Sequence, residues 1–212
     1  MNTMKKLFGG LSMKWWHVIV FAVVAGVWTA VMNMIPITEG TSFRDIAITF
    51  EWWLIFAFII ATNCEKSWES ALKIFVFFLI SQPLIFGLEV IFGGLDVEMA
   101  MYYLSSNWGP KIIMTLPGGF IAFYIKKQNV LGAIILGLGN AIQALMGVEY
   151  LVQAVQNFPF HILSCIVSFA SLFIMAWTIQ KDNKLRIISI VVTIVACALV
   201  LAYFLAGNGS PF

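Results

Sequence analysis

Long apolar stretches, separated by short polar or charged breaks, follow one another along the chain. A helix needs about 20 mainly apolar residues, in the range of roughly 17–25, to cross a bilayer. Seven stretches approach that length, and they are broken at clusters of charge, glycine and proline. They cover residues 15–35, 43–62, 71–92, 111–125, 130–147, 158–178 and 187–206. The pattern predicts an all-α integral membrane protein in which residues 1–212 form a single domain of seven transmembrane helices.

The distribution of lysine and arginine between these spans predicts the orientation of the chain. With the amino terminus in the cytoplasm, ten basic residues fall on the cytoplasmic side, and Arg44 and Lys111 fall outside. Cytoplasmic loops of membrane proteins carry such an excess of positive charge. We therefore expect a multi-pass protein of the plasma membrane with a cytoplasmic amino terminus and an external carboxyl terminus. The acids lie mainly on the outer side, either as solubilising charge or as a vestibule that concentrates cations.

The composition agrees with a membrane location and excludes several other classes. Only 10% of the residues are charged, whereas soluble domains average about 25%. The net charge of +2 gives no indication of a nucleic-acid partner. The three cysteines have no metal-binding spacing. We predict no cofactor, and a metal ligand set cannot be named from the sequence.

The fourth span contains a candidate helix break. At 1.5 Å per residue its 15 residues reach only about 22 Å, short of the ~30 Å hydrocarbon core. Pro117, Gly118 and Gly119 stand in its middle. We expect a break there, of the kind with which transporters present backbone groups to a substrate. The alternative is a simple kink with small residues at a close helix contact.

The segment 93–110, which precedes this span, is rich in Met, Tyr and Trp. It predicts an interfacial helix that rests on the outer surface, as a lid or as an anchor. The alternation of the spans also allows a 3+3+1 arrangement, in which spans one to three and four to six are inverted repeats. The two halves have no convincing sequence similarity.

Glu51 is a carboxylate inside an otherwise apolar span. It lies about 12 Å along the second span from Phe43, which places it below the headgroups if the helix begins there. An ionisable residue at that depth is a functional candidate. The neighbouring Trp52 and Trp53 favour the interface instead, and Arg44 lies two turns away on the same face. The alternative is therefore an interfacial acid paired with Arg44.

Polar residues of other spans are candidate partners of Glu51, and together they predict an outward-opening acidic cavity. His161, Ser164, Ser168 and Ser171 form one continuous stripe on the sixth span. Two amides lie near the middle of the fifth span, and further acids lie at the outer ends. The predicted binding residues are Glu51, Gln82, Glu89, Asn140, Gln143, Glu149, His161, Ser164 and Ser168. Gln82 also has a structural alternative, since it can satisfy a carbonyl freed by Pro83.

Three functional classes agree with these features. The first is a channel or transporter for a small cation, a proton-coupled substrate or a polar solute. The second is a membrane scaffold, receptor or accessory subunit without catalytic chemistry, in which the polar groups only bridge helices. The third is an intramembrane enzyme that acts on lipid, although no catalytic motif is present. The expected partners are the lipid bilayer, a small solute or ion, and either further copies of the chain or another membrane subunit.

Overall fold

The computed structural model describes residues 6–38, 41–45 and 50–206, except for the side chains of residues 204 and 205. No strand occurs in these ranges, and the all-α prediction is confirmed. The α-helices are α1 (Trp15–Met34), α2 (Phe50–Thr62), α3 (Ser67–Phe92), α4 (Val97–Tyr102), α5 (Gly109–Ala122), α6 (Val130–Gln156), α7 (Ile162–Thr178) and α8 (Asn183–Leu205). A π-helical turn, Tyr103–Trp108, joins α4 to α5, and 3-10 turns cover Pro36–Thr38, Ser42–Arg44 and Phe123–Lys126.

Within the described part of the chain, four helices are long and apolar enough to cross a membrane. They are α1, α3, α6 and α8, whereas α2 and α7 are shorter apolar helices. This composition is compatible with a multi-pass membrane protein. Within the predicted second span, 43–62, the described part of α2 covers Phe50–Thr62, and residues 46–49 lie outside the described part.

Polar side chains fix where several helices begin. The Asn129 side chain accepts a hydrogen bond from the Gly132 amide at 2.8 Å and caps the start of α6. The Asp96 carboxylate does the same for α4, with the Glu98 amide at 2.8 Å. These caps satisfy backbone donors that the first turn of a helix leaves without a partner.

The interfacial position of residues 93–110 stays a prediction, but this segment does not form a separate helix. Instead, α4, the π-helical turn and α5 follow one another without a turn or loop between them and run antiparallel to α3. Phe86 stacks on Tyr103 near one end, with ring centroids 6.2 Å apart, and Phe78 stacks on Trp108 further along. Aromatic contacts with α3 hold this segment against a neighbouring helix.

The predicted break at Pro117, Gly118 and Gly119 is wrong, because α5 continues through all three residues. Proline fixes φ at a value close to that of a helix and removes a single backbone donor. The glycine has a packing role instead: a Cβ on Gly119 would come 3.0 Å from the Cα of Ala71 in α3. The Ser70 hydroxyl donates to the Gly119 carbonyl at 2.8 Å. Gly119 therefore serves a close helix contact, the alternative to a break.

Helix packing divides the molecule into two groups with α2 between them. The first group packs α3 against α1 and against α5, and the second packs α6 against α7 and α8. The α2 helix contacts members of both groups. The fourth span thus packs mainly with α3, whereas the 3+3+1 arrangement groups it with the fifth and sixth spans.

Candidate functional site

Residues 41–45 are fastened to the beginning of α7 at the end of the molecule where α6 finishes. The Asp45 Oδ1 lies 3.1 Å from the His161 Nδ1, and Asp45 is also hydrogen-bonded to Ser164. The Ser42 hydroxyl accepts from the Ile162 amide at 3.2 Å and donates to the Pro159 carbonyl. His161 precedes α7 in a left-handed conformation, with φ of 60°, which turns the chain into the helix.

The Asp45 side chain is buried, since it is only 3% exposed. Burial raises the pKa of this carboxyl above its ordinary value of 3.8, because the charged form loses its hydration. The nearby His161 and the hydrogen bonds from Ser164 act in the opposite direction. The Asp45–His161 pair therefore joins two groups that can exchange a proton.

Glu51 connects to this pair through Tyr150. Glu51 lies in the first turn of α2 and is completely buried. The Tyr150 hydroxyl of α6 donates a hydrogen bond to its carboxylate. The Tyr150 ring stacks on His161, with centroids 5.6 Å apart and planes 26° from parallel. Two buried carboxyl groups, Asp45 and Glu51, are thus bridged by an imidazole and a phenol where α2, α6 and α7 meet.

A lane of polar side chains continues from this cluster along the interface of α6 and α7. The Gln143 amide donates to the Ser171 hydroxyl at 2.9 Å, and that hydroxyl donates to the Ser168 carbonyl at 2.9 Å. A Cβ on Gly147 would come 3.2 Å from the Ser168 Cβ, so the two helices approach closely there. Asn140 lies on α6 near Gln143 along the helix and is 1% exposed.

Three buried oxygen atoms of this lane make no hydrogen bond with the described residues: Asn140 Oδ1, Gln143 Oε1 and Ser168 Oγ. Buried polar atoms in proteins nearly always have a partner, either in the protein or in ordered water. These atoms therefore provide acceptor capacity for a ligand or for water inside the helix bundle. We call Asp45, Glu51, Tyr150, His161 and Ser164 the carboxyl–histidine cluster, and Asn140, Gln143, Ser168 and Ser171 the polar lane.

The remaining predicted site residues have other surroundings. Glu89 accepts a hydrogen bond from the Asn33 amide at 2.6 Å, between α3 and α1. Glu149 is half-buried and accepts from Gln153 of its own helix at 3.1 Å. Gln82 is buried in α3, and its Nε2 makes no hydrogen bond with the described residues. The structure therefore brings together Glu51, His161, Ser164 and the polar lane. Glu89 and Glu149 each have a different hydrogen-bond partner, Asn33 and Gln153 respectively.

Sequence reasoning missed Tyr150 and the pairing of Asp45. Tyr150 lies three residues beyond Gly147 and seven beyond Gln143, so helical periodicity places it on the same face of α6. That spacing could have found it. Nothing local to Asp45 indicates that it meets His161, since the two are far apart in the chain.

A separate cleft of about 450 Å³ lies between α2, α3, α5 and α6, and its walls are almost wholly apolar. Trp53 and Phe78 form part of its floor. Among the described residues, no group of three His, Cys, Asp or Glu side chains could hold a metal ion. No protein-family model, curated protein or solved structure matches the chain.

Proposed function

We propose that the chain is a seven-helix protein of the plasma membrane that moves a proton, a small cation or a polar solute, with a cytoplasmic amino terminus and an external carboxyl terminus. The seven spans would be α1, α2, α3, the α4–α5 segment, α6, α7 and α8. The observation that carries the proposal is the burial of Glu51 against Tyr150, with the Asp45–His161 pair next to it. The lipid bilayer would be its first partner.

The cost of burying these acids supports a functional role. A charged side chain at the centre of a bilayer costs on the order of 2.5–3.5 kcal/mol on insertion scales. The Tyr150 hydroxyl offsets part of that cost for Glu51 by donating a hydrogen bond to the carboxylate. Binding a proton or a cation would offset it further. Glu51 is therefore the group expected to be loaded and unloaded during transport.

The carboxyl–histidine cluster and the polar lane suggest a route for that exchange. The imidazole of His161 has two ring nitrogens and contacts the Asp45 carboxylate, so it can pass a proton between water and the buried groups. From Glu51 the polar lane extends further into the bundle through Gln143 and Ser168, which offer acceptor oxygens. A proton or a dehydrated cation would find oxygen ligands along that route.

A membrane scaffold or accessory subunit is the second candidate. Several buried polar groups bridge helices: Gln143 to Ser171, Ser70 to Gly119, and Thr193 to Gly137. Bonds of this kind are worth about 0.6 kcal/mol on average in membrane proteins and need no transport role. The uninterrupted α5 also removes one feature that favoured a transporter.

A flux assay distinguishes the two candidates. The full-length chain would be reconstituted into liposomes, with a pH-sensitive dye inside and gradients of protons or of monovalent and divalent cations. We expect flux from the wild type and a reduction by about tenfold or more in Glu51→Gln, because one buried ligand charge is lost. Tyr150→Phe should give a smaller reduction, because it keeps the ring that stacks on His161.

Glu149→Gln is the matched control, since Glu149 is half-buried and hydrogen-bonded within its own helix. It should retain wild-type flux. If Glu51→Gln carries the same flux as the wild type, the transport site lies elsewhere. If the wild type carries no flux with any ion or solute tested, the scaffold is favoured.

A further inference from the structure

The apolar cleft has the shape of a chain-binding site. On α5 it is lined by one face of the helix from Lys111 through Thr115 and Gly118 to Ala122, and Ile125 follows beyond the end of that helix. From Lys111 to Ile125 this face extends about 21 Å, roughly two-thirds of the hydrocarbon core. Its volume of about 450 Å³ falls within the ~300–1,000 Å³ that is typical of small-ligand sites.

The cleft opens to the surface between α5 and α6. Its edges are formed by side chains that are well exposed, Met114 and Ile121 on α5 and Leu138 and Ile142 on α6. Apolar residues surround this opening, so it would face the acyl chains of the bilayer. A ligand could therefore enter laterally from the membrane.

One end of the cleft carries a cation in an unexpected position. Lys111 was predicted to lie on the outer side, but it stands near the middle of the helical segment that runs from Val97 to Lys126. Each end of that segment is more than 20 Å away along the axis, at about 1.5 Å per residue. A lysine at this depth calls for a negatively charged partner or for water.

The local contacts orient the Lys111 ammonium without neutralising it. It donates to the Asn107 Oδ1 at 2.6 Å and lies 5.0 Å from the centre of the Trp108 ring. Both partners are uncharged, and an ammonium has three donors. Neither contact supplies a negative charge, so the Lys111 ammonium can offer further hydrogen bonds to an anionic head group.

We propose that this cleft binds a single-chain anionic amphiphile, a long-chain carboxylate, with its head group on Lys111 and its hydrocarbon chain along the apolar face of α5. The single cation among the lining residues matches a single negative charge. The apolar walls match a hydrocarbon chain. This site is separate from the carboxyl–histidine cluster and does not depend on the proposed transport function.

Gly118 allows a sharp test, because a Cβ built on it meets nothing within 4 Å. A leucine there would extend into the cleft without a clash in the helix. Gly87 of α3 is the matched control: it is also a helical glycine with open space around its Cβ, and it does not line the cleft. Gly118→Leu and Gly87→Leu thus differ in whether the cleft is filled.

The experiment is photolabelling of the full-length purified chain in detergent micelles with a photoreactive palmitate. Unlabelled palmitate, hexadecanol and phosphatidylglycerol serve as competitors. We expect Gly118→Leu to reduce labelling by about tenfold or more and Gly87→Leu to leave it unchanged. We also expect Lys111→Gln to abolish the preference for palmitate over hexadecanol, because the charge-assisted hydrogen bond is lost.

The same experiment can overturn the proposal in three ways. The site is refuted if Gly118→Leu is labelled as strongly as Gly87→Leu. The role of Lys111 is refuted if hexadecanol competes as well as palmitate in the wild type. If phosphatidylglycerol displaces the label better than palmitate, the cleft takes diacyl lipid rather than a single-chain carboxylate.

Discussion

Substitution of Gly137 by alanine is expected to loosen the contact between α6 and α8. A Cβ on Gly137 would come 2.6 Å from the Ser189 carbonyl oxygen and 2.7 Å from the Val192 Cβ. Both are atoms at or next to the backbone of α8, so no side-chain rotation can move them away. One of the two helices has to shift.

The size of the effect follows from three contributions. Overpacking in a well-packed contact costs about 1–3 kcal/mol. The Thr193 hydroxyl donates to the Gly137 carbonyl at 3.0 Å, and weakening this bond adds roughly 0.6 kcal/mol. The higher helix propensity of alanine returns up to about 1 kcal/mol. We therefore expect a net loss of about 1–3 kcal/mol in the free energy of unfolding.

Titration of the purified chain with sodium dodecyl sulfate in mixed micelles, followed by tryptophan fluorescence, measures this loss. Gly118→Ala and Gly87→Ala are the controls, because a Cβ at either position meets nothing within 4 Å. They should be neutral or stabilising by up to about 1 kcal/mol. If Gly137→Ala proves as stable as Gly118→Ala, α8 does not pack on α6 as described.

Three further predictions concern the polar groups and the topology. Gln143→Leu and Ser171→Ala should each destabilise the fold, and a double-mutant cycle should give a coupling of about 0.6 kcal/mol; additive effects would argue against their hydrogen bond. Because burial raises the pKa of Asp45 above 3.8, the stability associated with its protonated form is lost as the pH rises through that raised pKa. Thermal unfolding should therefore show Asp45→Asn gaining stability relative to the wild type as the pH rises, and a pH-independent difference would contradict this. A thiol-reactive reagent applied to intact cells should not label Gln128→Cys from outside, and native Cys64 should add no background because burial raises its pKa to about 11.

The apolar pattern by itself determined the all-α class and the approximate positions of the helices. Hydrophobic length and breaks are local properties, so they can be read without knowledge of packing. The burial of Asn140 and Gln143 also followed from the pattern, since polar residues in apolar helices turn away from lipid. For Glu51 the pattern left an interfacial position beside Arg44 open, and the structure buries its side chain completely. Helix ends were less well determined: the fifth span extends to Gln156 as α6, beyond its predicted end.

Only the tertiary structure decided which distant groups meet. Asp45 reaches His161 because residues 41–45 fold back onto the start of α7, and no periodicity carries that information. The position of Lys111 along its helical segment was likewise decided by packing. Aromatic contacts with α3 hold the π-helical turn and α4 as one segment with α5, which moves Lys111 from a predicted helix end to the middle. Gly119 shows the same limit of prediction from sequence. A glycine in an apolar span is compatible both with a helix break and with a close helix contact, and only the position of the neighbouring helix distinguishes the two.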